Sequence, residues 1–219
     1  MALAAVLALT PVLAAEPAGA DTTVGASETG VSTTSTQQNI SAGNLTFVDV
    51  NSDYVTNKWT GFYGNISGSF LLGDSSGNNF FEWTVADMTD AVVYASNSTI
   101  NWGSGSFFPL AASFASPWLL GSGTDNFTNT FNQSEDFVSP DFFTGSNQVN
   151  STPYVETFNA SGQASGLKTY GLRNNATNQS VFAAKVVDDT NGFNNATVDY
   201  QMLVPAFSVV SYYFYIELP

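Results

Sequence analysis

The feature that most constrains this chain is a period of two in its apolar residues, which runs from about residue 44 to the end. In residues 208–218, for example, Tyr212, Phe214 and Ile216 fall on one face of an extended chain. Successive side chains of a strand point to opposite faces, so this alternation is typical of half-buried strands rather than helices. Because this last stretch has aromatic residues on both faces, we expect it to be a central strand.

Turn signals divide the alternating region into short strands. The predicted strands lie in residues 45–50, 58–74, 78–86, 91–96, 155–158, 167–173, 180–188, 198–205 and 208–218. Residues 74–77 and the dipeptide Asn191-Gly192 are typical of hairpin turns. One short helix is expected at residues 116–121, where Pro117 follows an N-capping Ser116 and Gly121 ends the turn. This pattern predicts an all-β fold, an antiparallel β-sandwich of the immunoglobulin-like or jelly-roll-like type.

The charge balance and two missing residue types exclude several functional classes. Lys and Arg together number 4 against 18 Asp and Glu, which gives a net charge of -14. Binding to nucleic acid or to an anionic membrane needs clustered cations, so neither is an expected partner. The chain contains no His and no Cys. Ser–His–Asp triads, His-dependent zinc sites, thiol chemistry and disulfide-stapled modules are therefore excluded.

The first 43 residues differ from the rest of the chain and form two parts. Residues 2–15 are an apolar run, shorter than the roughly 20 residues of a membrane-spanning helix. Small residues at 18–20 then fit cleavage before Asp21. We expect residues 1–20 to be a signal peptide or, if retained, a hydrophobic segment that packs with its copies as a type IV pilin tail does. Residues 21–43 are rich in Ser and Thr, which predicts a linker or stalk, or else a donor strand, before a β-sandwich domain at 44–219.

An excess of N-x-Ser/Thr sequons indicates N-linked glycosylation. The 21 Asn and the 48 Ser and Thr among 219 residues predict about 4.6 sequons by chance, whereas the chain has 11. They begin at Asn39, Asn44, Asn65, Asn97, Asn126, Asn132, Asn150, Asn159, Asn175, Asn178 and Asn195. The backbone chemistry of turns also brings Asn together with Ser and Thr, and this alternative stays open. Such an excess is typical of a glycosylated protein outside the cytoplasm.

Two acidic turns are candidate calcium sites. Asp74 and Asn78 supply oxygen ligands around a glycine turn in the first, and Asp188 and Asp189 do so in the second. Neither turn has the full twelve-residue loop with a terminal Glu, so ordinary Asx turns are the alternative. The sequence requires no other cofactor.

Carboxylates and aromatic residues suggest two hypotheses about sugars. Glu82 beside Trp83 resembles a glycosidase site, but no spacing selects a partner carboxylate, so we expect a protein that is not an enzyme. Trp59, Trp83 and Trp118 lie in apolar runs and are expected in the core. Trp102 lies among Gly and Ser and is the Trp expected to be exposed, where an indole ring can stack on a sugar.

One block of the sequence resembles archaeal secreted surface proteins. Its pattern is W-x-G-x-x-G-N-[IV]-[ST]-G, here Trp59, Gly61, Gly64, Asn65, Ile66, Ser67 and Gly68. The likeness covers most of residues 38–218. The chain is also similar in character to archaeal extracellular filament subunits, which are glycosylated β-sandwiches joined by strand donation or by a pilin helix. This resemblance implies that residues 22–38 form a donor strand, with Val24, Ala26 and Val31 as subunit contacts.

Two functional classes follow from these observations. In the first, the protein is a structural subunit of an extracellular filament or surface layer, and its partners are copies of itself. In the second, it is a monomeric carbohydrate-binding or adhesion module on the cell surface, and its partners are surface glycans. Polymers or monomers in size-exclusion chromatography distinguish the two.

Overall fold

The computed structural model of the protein describes residues 17–39, 41–102, 106–111, 123–139, 148–206 and 209–219. Within these ranges, no helix has the length and apolar character needed to cross a membrane. The helix expected at residues 116–121 lies outside them, as does most of the hydrophobic N-terminal segment.

One large antiparallel sheet forms the body of the protein. In spatial order its strands are β1 (Ala18–Gly19), β14 (Tyr213–Glu217), β5 (Val92–Ser96), β10 (Gln179–Lys185), β9 (Ala164–Asn174), β8 (Gln148–Phe158) and β7 (Gln133–Val138), and β6 (Phe107–Pro109) also pairs with β9. The strands predicted at 91–96, 155–158, 167–173 and 180–188 are confirmed within this sheet. Every residue of β5 is buried, because this strand has Val, Tyr and Ala side chains and is covered on both faces.

Three pairs of strands lie outside the large sheet. They are β2 (Trp59–Gly64) with β13 (Tyr200–Pro205), β3 (Ser69–Gly73) with β4 (Asn79–Thr84), and β11 (Thr190–Asn191) with β12 (Thr197–Val198). The β2–β13 pair packs on one face of the large sheet, where Met202 and Val204 share a buried cluster with Val93 and Phe182. Sheet thus packs on sheet, and the predicted all-β, antiparallel sandwich-like fold is confirmed.

The opposite face of the large sheet is covered by its own edge strand, because β7 curls back over it. The ring of Phe137 in β7 lies 5.0 Å from the ring of Tyr170, and Lys185 Nζ of β10 lies 5.8 Å from the centre of the Phe137 ring. Glu135 of β7 accepts hydrogen bonds from Lys168 Nζ, at 2.7 Å, and from the Tyr170 hydroxyl. Burial raises the pKa of Glu135, but these hydrogen bonds outweigh it and lower that pKa below its ordinary value.

A single helical turn, α1 (Phe127–Thr130), packs beside the β2–β13 pair. Asn126 caps this turn, since its Oδ1 accepts the backbone N–H of Asn129 at 2.8 Å. The Phe127 and Phe131 rings stack at 4.7 Å and are buried. Sequence analysis did not predict this turn, because four residues are too few to show a helical period.

The last strand, β14, differs in position from the prediction. Within the described part of the chain it lies next to the end of the large sheet, with the two residues of β1 beyond it, rather than at the centre. Both of its faces are nevertheless covered. The Phe214 ring lies 5.1 Å from the Phe62 ring on one side, and the Tyr215 ring lies 5.4 Å from the Trp102 ring on the other. The aromatic residues on both faces correctly indicated that both faces of this strand are covered. They did not indicate a central position, because a strand near the end of a sheet can also be covered on both faces.

Candidate functional site

A long excursion of the chain connects β1 to β2. The described residues between 20 and 58 form no helix or strand and are almost all exposed. Both ends are fixed: the backbone N–H of Ala20 donates to the Phe214 carbonyl at 3.0 Å, and Lys58 Nζ lies 2.6 Å from Asp125 Oδ1. The hydrogen bonds from Lys58 and Thr56 lower the pKa of Asp125. Loops of this length without secondary structure are uncommon in compact domains and are usually functional or disordered.

The most apolar part of this excursion is residues 45–50, which were predicted to form a strand of the domain. That prediction is wrong, since these residues belong to no strand. Phe47 is 87% exposed and Val50 is 89% exposed, and Leu45 and Val48 are exposed as well. An alternating pattern predicts that a segment can form a β-strand, but it does not predict which sheet edge that strand pairs with. Here the described part of the chain gives it no partner strand.

The predicted subunit contacts lie earlier in the same excursion. Val24, Ala26 and Val31 are all exposed, like the rest of residues 21–39. Near Val31, the backbone N–H of Thr33 donates to the Asp53 carbonyl at 3.0 Å, so the excursion turns back on itself. The use of residues 22–38 as a donor strand stays a prediction.

Among the described residues, the outer edge of β14 pairs only with the short strand β1, in which Ala18 and Gly19 lie opposite Ile216 and Tyr215. These two residues belong to the segment that the predicted cleavage before Asp21 would remove. The strand itself is held firmly from the inside. Glu217 is buried and accepts the Tyr94 hydroxyl at 2.5 Å, and burial together with the charge of Glu217 raises the pKa of Tyr94 well above its ordinary value.

The β3–β4 hairpin has an uncovered apolar face. The register places Phe70 opposite Trp83 and Leu72 opposite Phe81, so these four side chains share one face, and all four are about half exposed. Glu82 pairs with Leu71 and so lies on the other face. The hairpin predicted around residues 74–77 is confirmed, and Glu82 is exposed, as expected for a solvated carboxylate.

The tryptophans are placed differently from the predictions. Trp83, expected in the core, is 51% exposed, and Trp102, expected at the surface, is only 4% exposed. Trp102 packs against Tyr94 at 5.0 Å and Phe107 at 5.5 Å, because the loop after β5 folds onto the large sheet. Trp59 is half-buried and stacks on Phe131 at 5.7 Å. Trp118 lies outside the described residues. The alternating pattern predicted that Trp83 lies on the apolar face of its strand. It did not predict that this face is exposed to solvent.

All eleven sequon asparagines are accessible to solvent. Three are half-buried, namely Asn97, Asn126 and Asn159. Eight are exposed, namely Asn39, Asn44, Asn65, Asn132, Asn150, Asn175, Asn178 and Asn195. Accessibility permits modification at every position, and glycosylation stays a prediction.

Several of these asparagines also have local structural roles. Asn159 Oδ1 accepts the backbone N–H groups of Ser161 and Gln163, at 2.9 and 3.1 Å. Asn178 and Asn195 have φ angles of 55° and 58°, in the left-handed region that Asn tolerates. A glycan is attached through Nδ2 and leaves Oδ1 free to accept, so the capping role of Asn126 and the turn role of Asn159 are compatible with glycosylation.

The first calcium candidate is an Asx turn whose carboxylate is already engaged. Asp74 Oδ1 accepts the backbone N–H groups of Ser76 and Asn78, both at 2.9 Å, and Asp74 Oδ2 accepts Asn78 Nδ2 at 2.8 Å. The hydrogen bonds from Asn78 and Ser76 lower the pKa of Asp74. Asn78 presents its amide nitrogen to Asp74, so the two residues bind each other rather than converging on a cation.

The second calcium candidate gains a carboxylate that the sequence did not reveal. Oxygen atoms of Asp188, Asp189 and Asp199 lie within 4.8 Å of one another. Asp199 is buried, and its Oδ2 accepts the backbone N–H of Ile66 at 2.7 Å. Burial and the charges of Asp189, Asp199 and Asp87 raise the pKa of Asp188. Three convergent carboxylates are the kind of ligand set that calcium prefers, though exposed acidic groups also occur without an ion.

The hairpin register explains how Asp199 was missed. Asn191-Gly192 was predicted to be the turn, but Thr190 pairs with Val198 and the connection spans residues 192–196, with a 3-10 turn at Phe193–Asn195. This register places Asp189 opposite Asp199. A two-residue turn at Asn191-Gly192 would instead have separated them.

No family model, curated protein or solved structure matches this chain. The resemblance to archaeal surface proteins therefore remains an interpretation of the sequence.

Proposed function

We propose that this protein is a structural subunit of an extracellular filament or surface layer, built from copies of itself and covered by N-glycans. The observation that carries the proposal is the segment at residues 45–50, which has the alternating apolar pattern of a strand and pairs with nothing in the described chain. Such a segment is a template for pairing with a sheet edge of another chain. The same observation moves the preferred donor strand from residues 22–38 to residues 45–50.

The acceptor in this proposal is the outer edge of β14. A strand added there would bring Leu45 and Phe47 to one face of the large sheet and Val48 and Val50 to the other. This arrangement suits β14, whose side chains contribute to both faces. Removal of residues 1–20 would free this edge completely, because β1 would leave with them.

The chemistry of the surface agrees with a structural role. The acidic excess keeps separate copies apart in solution, so assembly depends on specific contacts such as strand pairing. The protein acts without catalysis and requires no cofactor, and calcium at Asp188, Asp189 and Asp199 would serve to stabilise the subunit.

The experiment compares Val48→Pro with Val31→Pro in the full chain. Both residues are exposed, and Pro removes the N–H group that a paired strand needs. Negative-stain imaging and size-exclusion chromatography should show polymers of the wild type and of Val31→Pro but no polymers of Val48→Pro. If Val48→Pro forms polymers and Val31→Pro does not, the donor strand lies in residues 22–38 rather than in residues 45–50. A wild type that stays monomeric would refute the proposal.

A monomeric carbohydrate-binding or adhesion module is the second candidate. The observation that favours it is the exposed pair of Trp83 and Phe81, whose ring centres lie 4.8 Å apart. Exposed aromatic rings of this kind can stack on sugars. A monomer whose Trp fluorescence shifts on adding surface glycans would support this candidate, and the shift should disappear in Trp83→Ala.

A further inference from the structure

The β3–β4 hairpin presents one wholly apolar face. Phe70, Leu72, Phe81 and Trp83 form this face, which we call the hairpin face, and the Phe81 and Trp83 rings contact each other. Phe80, which the bulge between Leu72 and Gly73 leaves without a partner in the register, is 85% exposed. Apart from the indole N–H of Trp83, the face has no polar group.

The hairpin packs on the rest of the domain at its base, and its outer part is exposed to solvent. The backbone N–H of Val85 donates to the Gly68 carbonyl at 3.4 Å, and Val85 packs on the buried cluster below. Gly68 also packs against the Leu218 side chain, which would have to shift if residue 68 carried a Cβ. Beyond this base, the two strands pair only with each other among the residues that the structure describes. A two-stranded hairpin alone is marginally stable in water, so a partner on its apolar face would stabilise it.

We propose that the hairpin face is a self-association surface, and that its occupant is the hairpin face of a second copy related by a two-fold axis. A second copy, like the first, has a net charge of -14, so the two copies repel each other. At the hairpin face, however, no carboxylate of one copy would lie opposite a carboxylate of the other. Glu82 lies on the other face, and the Asp74 carboxylate is bound within the turn.

The exposed area of the face agrees with a weak dimer. A large apolar side chain offers about 150–250 Å², so four half-exposed side chains leave roughly 400 Å² per copy. Two copies would bury about 800 Å², which falls at the low end of the class of weak or transient interfaces. Such a contact supports lateral pairing within an assembly rather than a tight free dimer.

The hairpin itself carries no sequon. No sequon lies between Asn65 and Asn97, which is the longest interval between consecutive sequons in the chain. A contact between copies needs such a bare surface. A sugar, by contrast, needs polar groups that orient its hydroxyls, and the hairpin face offers only the indole N–H.

The test is a matched pair of substitutions in the full chain, Leu72→Ser and Leu71→Ser. The two residues are neighbours with exposed fractions of 51% and 56%, but only Leu72 lies on the hairpin face. In the Val48→Pro background, where strand pairing is disabled, sedimentation velocity should show concentration-dependent dimers, strengthened by added salt because salt screens the repulsion between copies. Leu72→Ser should weaken association by roughly tenfold, and Leu71→Ser should leave it unchanged.

Equal effects of Leu71→Ser and Leu72→Ser, or a Val48→Pro chain that forms no dimers, would overturn the inference. Binding of the wild type to vesicles of neutral phosphatidylcholine, lost in Leu72→Ser alone, would identify a membrane as the occupant and overturn it too. The inference and the proposed function have in common only that the partner is a second copy of the chain. Failure of the inference can be distinguished from failure of the proposed function, because measurements in the Val48→Pro background test the hairpin face while strand pairing is disabled.

Discussion

Replacing Phe47 by Ser tests the proposed donor strand at its largest side chain. Phe47 is 87% exposed, so the substitution removes no packing from the isolated subunit, and the free energy of unfolding should stay within about 0.5 kcal/mol of the wild type. In an assembly the ring would be buried against a neighbouring subunit. Full burial of a Phe side chain contributes about 1.5–3 kcal/mol. A loss of about 2 kcal/mol corresponds to an affinity that is roughly 30-fold weaker.

The assay is the critical concentration for polymerisation, measured by pelleting and by light scattering. It should rise roughly 30-fold in Phe47→Ser. Tyr54→Ser is the matched control, since Tyr54 is 85% exposed in the same excursion but lies outside the alternating segment. An unchanged critical concentration in Phe47→Ser, or an equal rise in Tyr54→Ser, would refute the assignment of residues 45–50. A lower melting temperature of the isolated Phe47→Ser monomer would show that the ring packs within its own subunit.

Three further predictions concern the subunit itself. Tyr94→Phe removes a buried donor to Glu217 and should cost about 1–3 kcal/mol, seen by calorimetry as a lower melting temperature, whereas an unchanged value would contradict this role. Burial raises the pKa of Tyr94 and Tyr212, so both stay neutral in the folded state while the unfolded chain ionises near pH 10. Stability should be fully present below that pH and fall as pH rises further, by up to about 1.4 kcal/mol per pH unit for each tyrosine, and denaturant unfolding of Tyr212→Phe should show a shallower fall. Millimolar calcium, but not magnesium, should raise the melting temperature if the acidic cluster binds it, and Asp189→Asn should abolish that rise.

The fold was largely predictable because most strands are recognisable from their own residues. The strand at β5 and the second half of β8 carry Val, Tyr and Phe in extended patterns, and both are confirmed. Strand β7 and residues 148–154 were not predicted, because their side chains are mostly polar. Tertiary contacts hold β7 in place. Glu135 accepts hydrogen bonds from Lys168 and Tyr170 of β9, and Phe137 packs in the buried cluster of the large sheet. No local pattern encodes these partners.

The candidate site was less predictable, since it depends on what the rest of the chain leaves uncovered. The apolar side chains of residues 45–50 and of β4 predict strands as those of β5 do, yet every residue of β5 is buried while Trp83 and Phe47 are exposed. The position of Asp199 opposite Asp189 likewise depends on the length of a loop, which the dipeptide Asn191-Gly192 did not reveal. Sequence pattern therefore identified surfaces that need partners and left the partners undetermined.

The sequon at Asn44 limits how residues 45–50 can pair, because a glycan cannot enter a sheet. Strand β14 offers five residues, Tyr213–Glu217, and a six-residue partner at 45–50 covers this length without using Asn44. The glycan would then lie just beyond the end of the shared sheet and project into solvent. Asn44→Gln should therefore lose one glycan in intact mass spectrometry and keep the wild-type critical concentration for polymerisation. A large change in that concentration would mean that Asn44 itself lies within the paired region, and that the donor strand begins before residue 45.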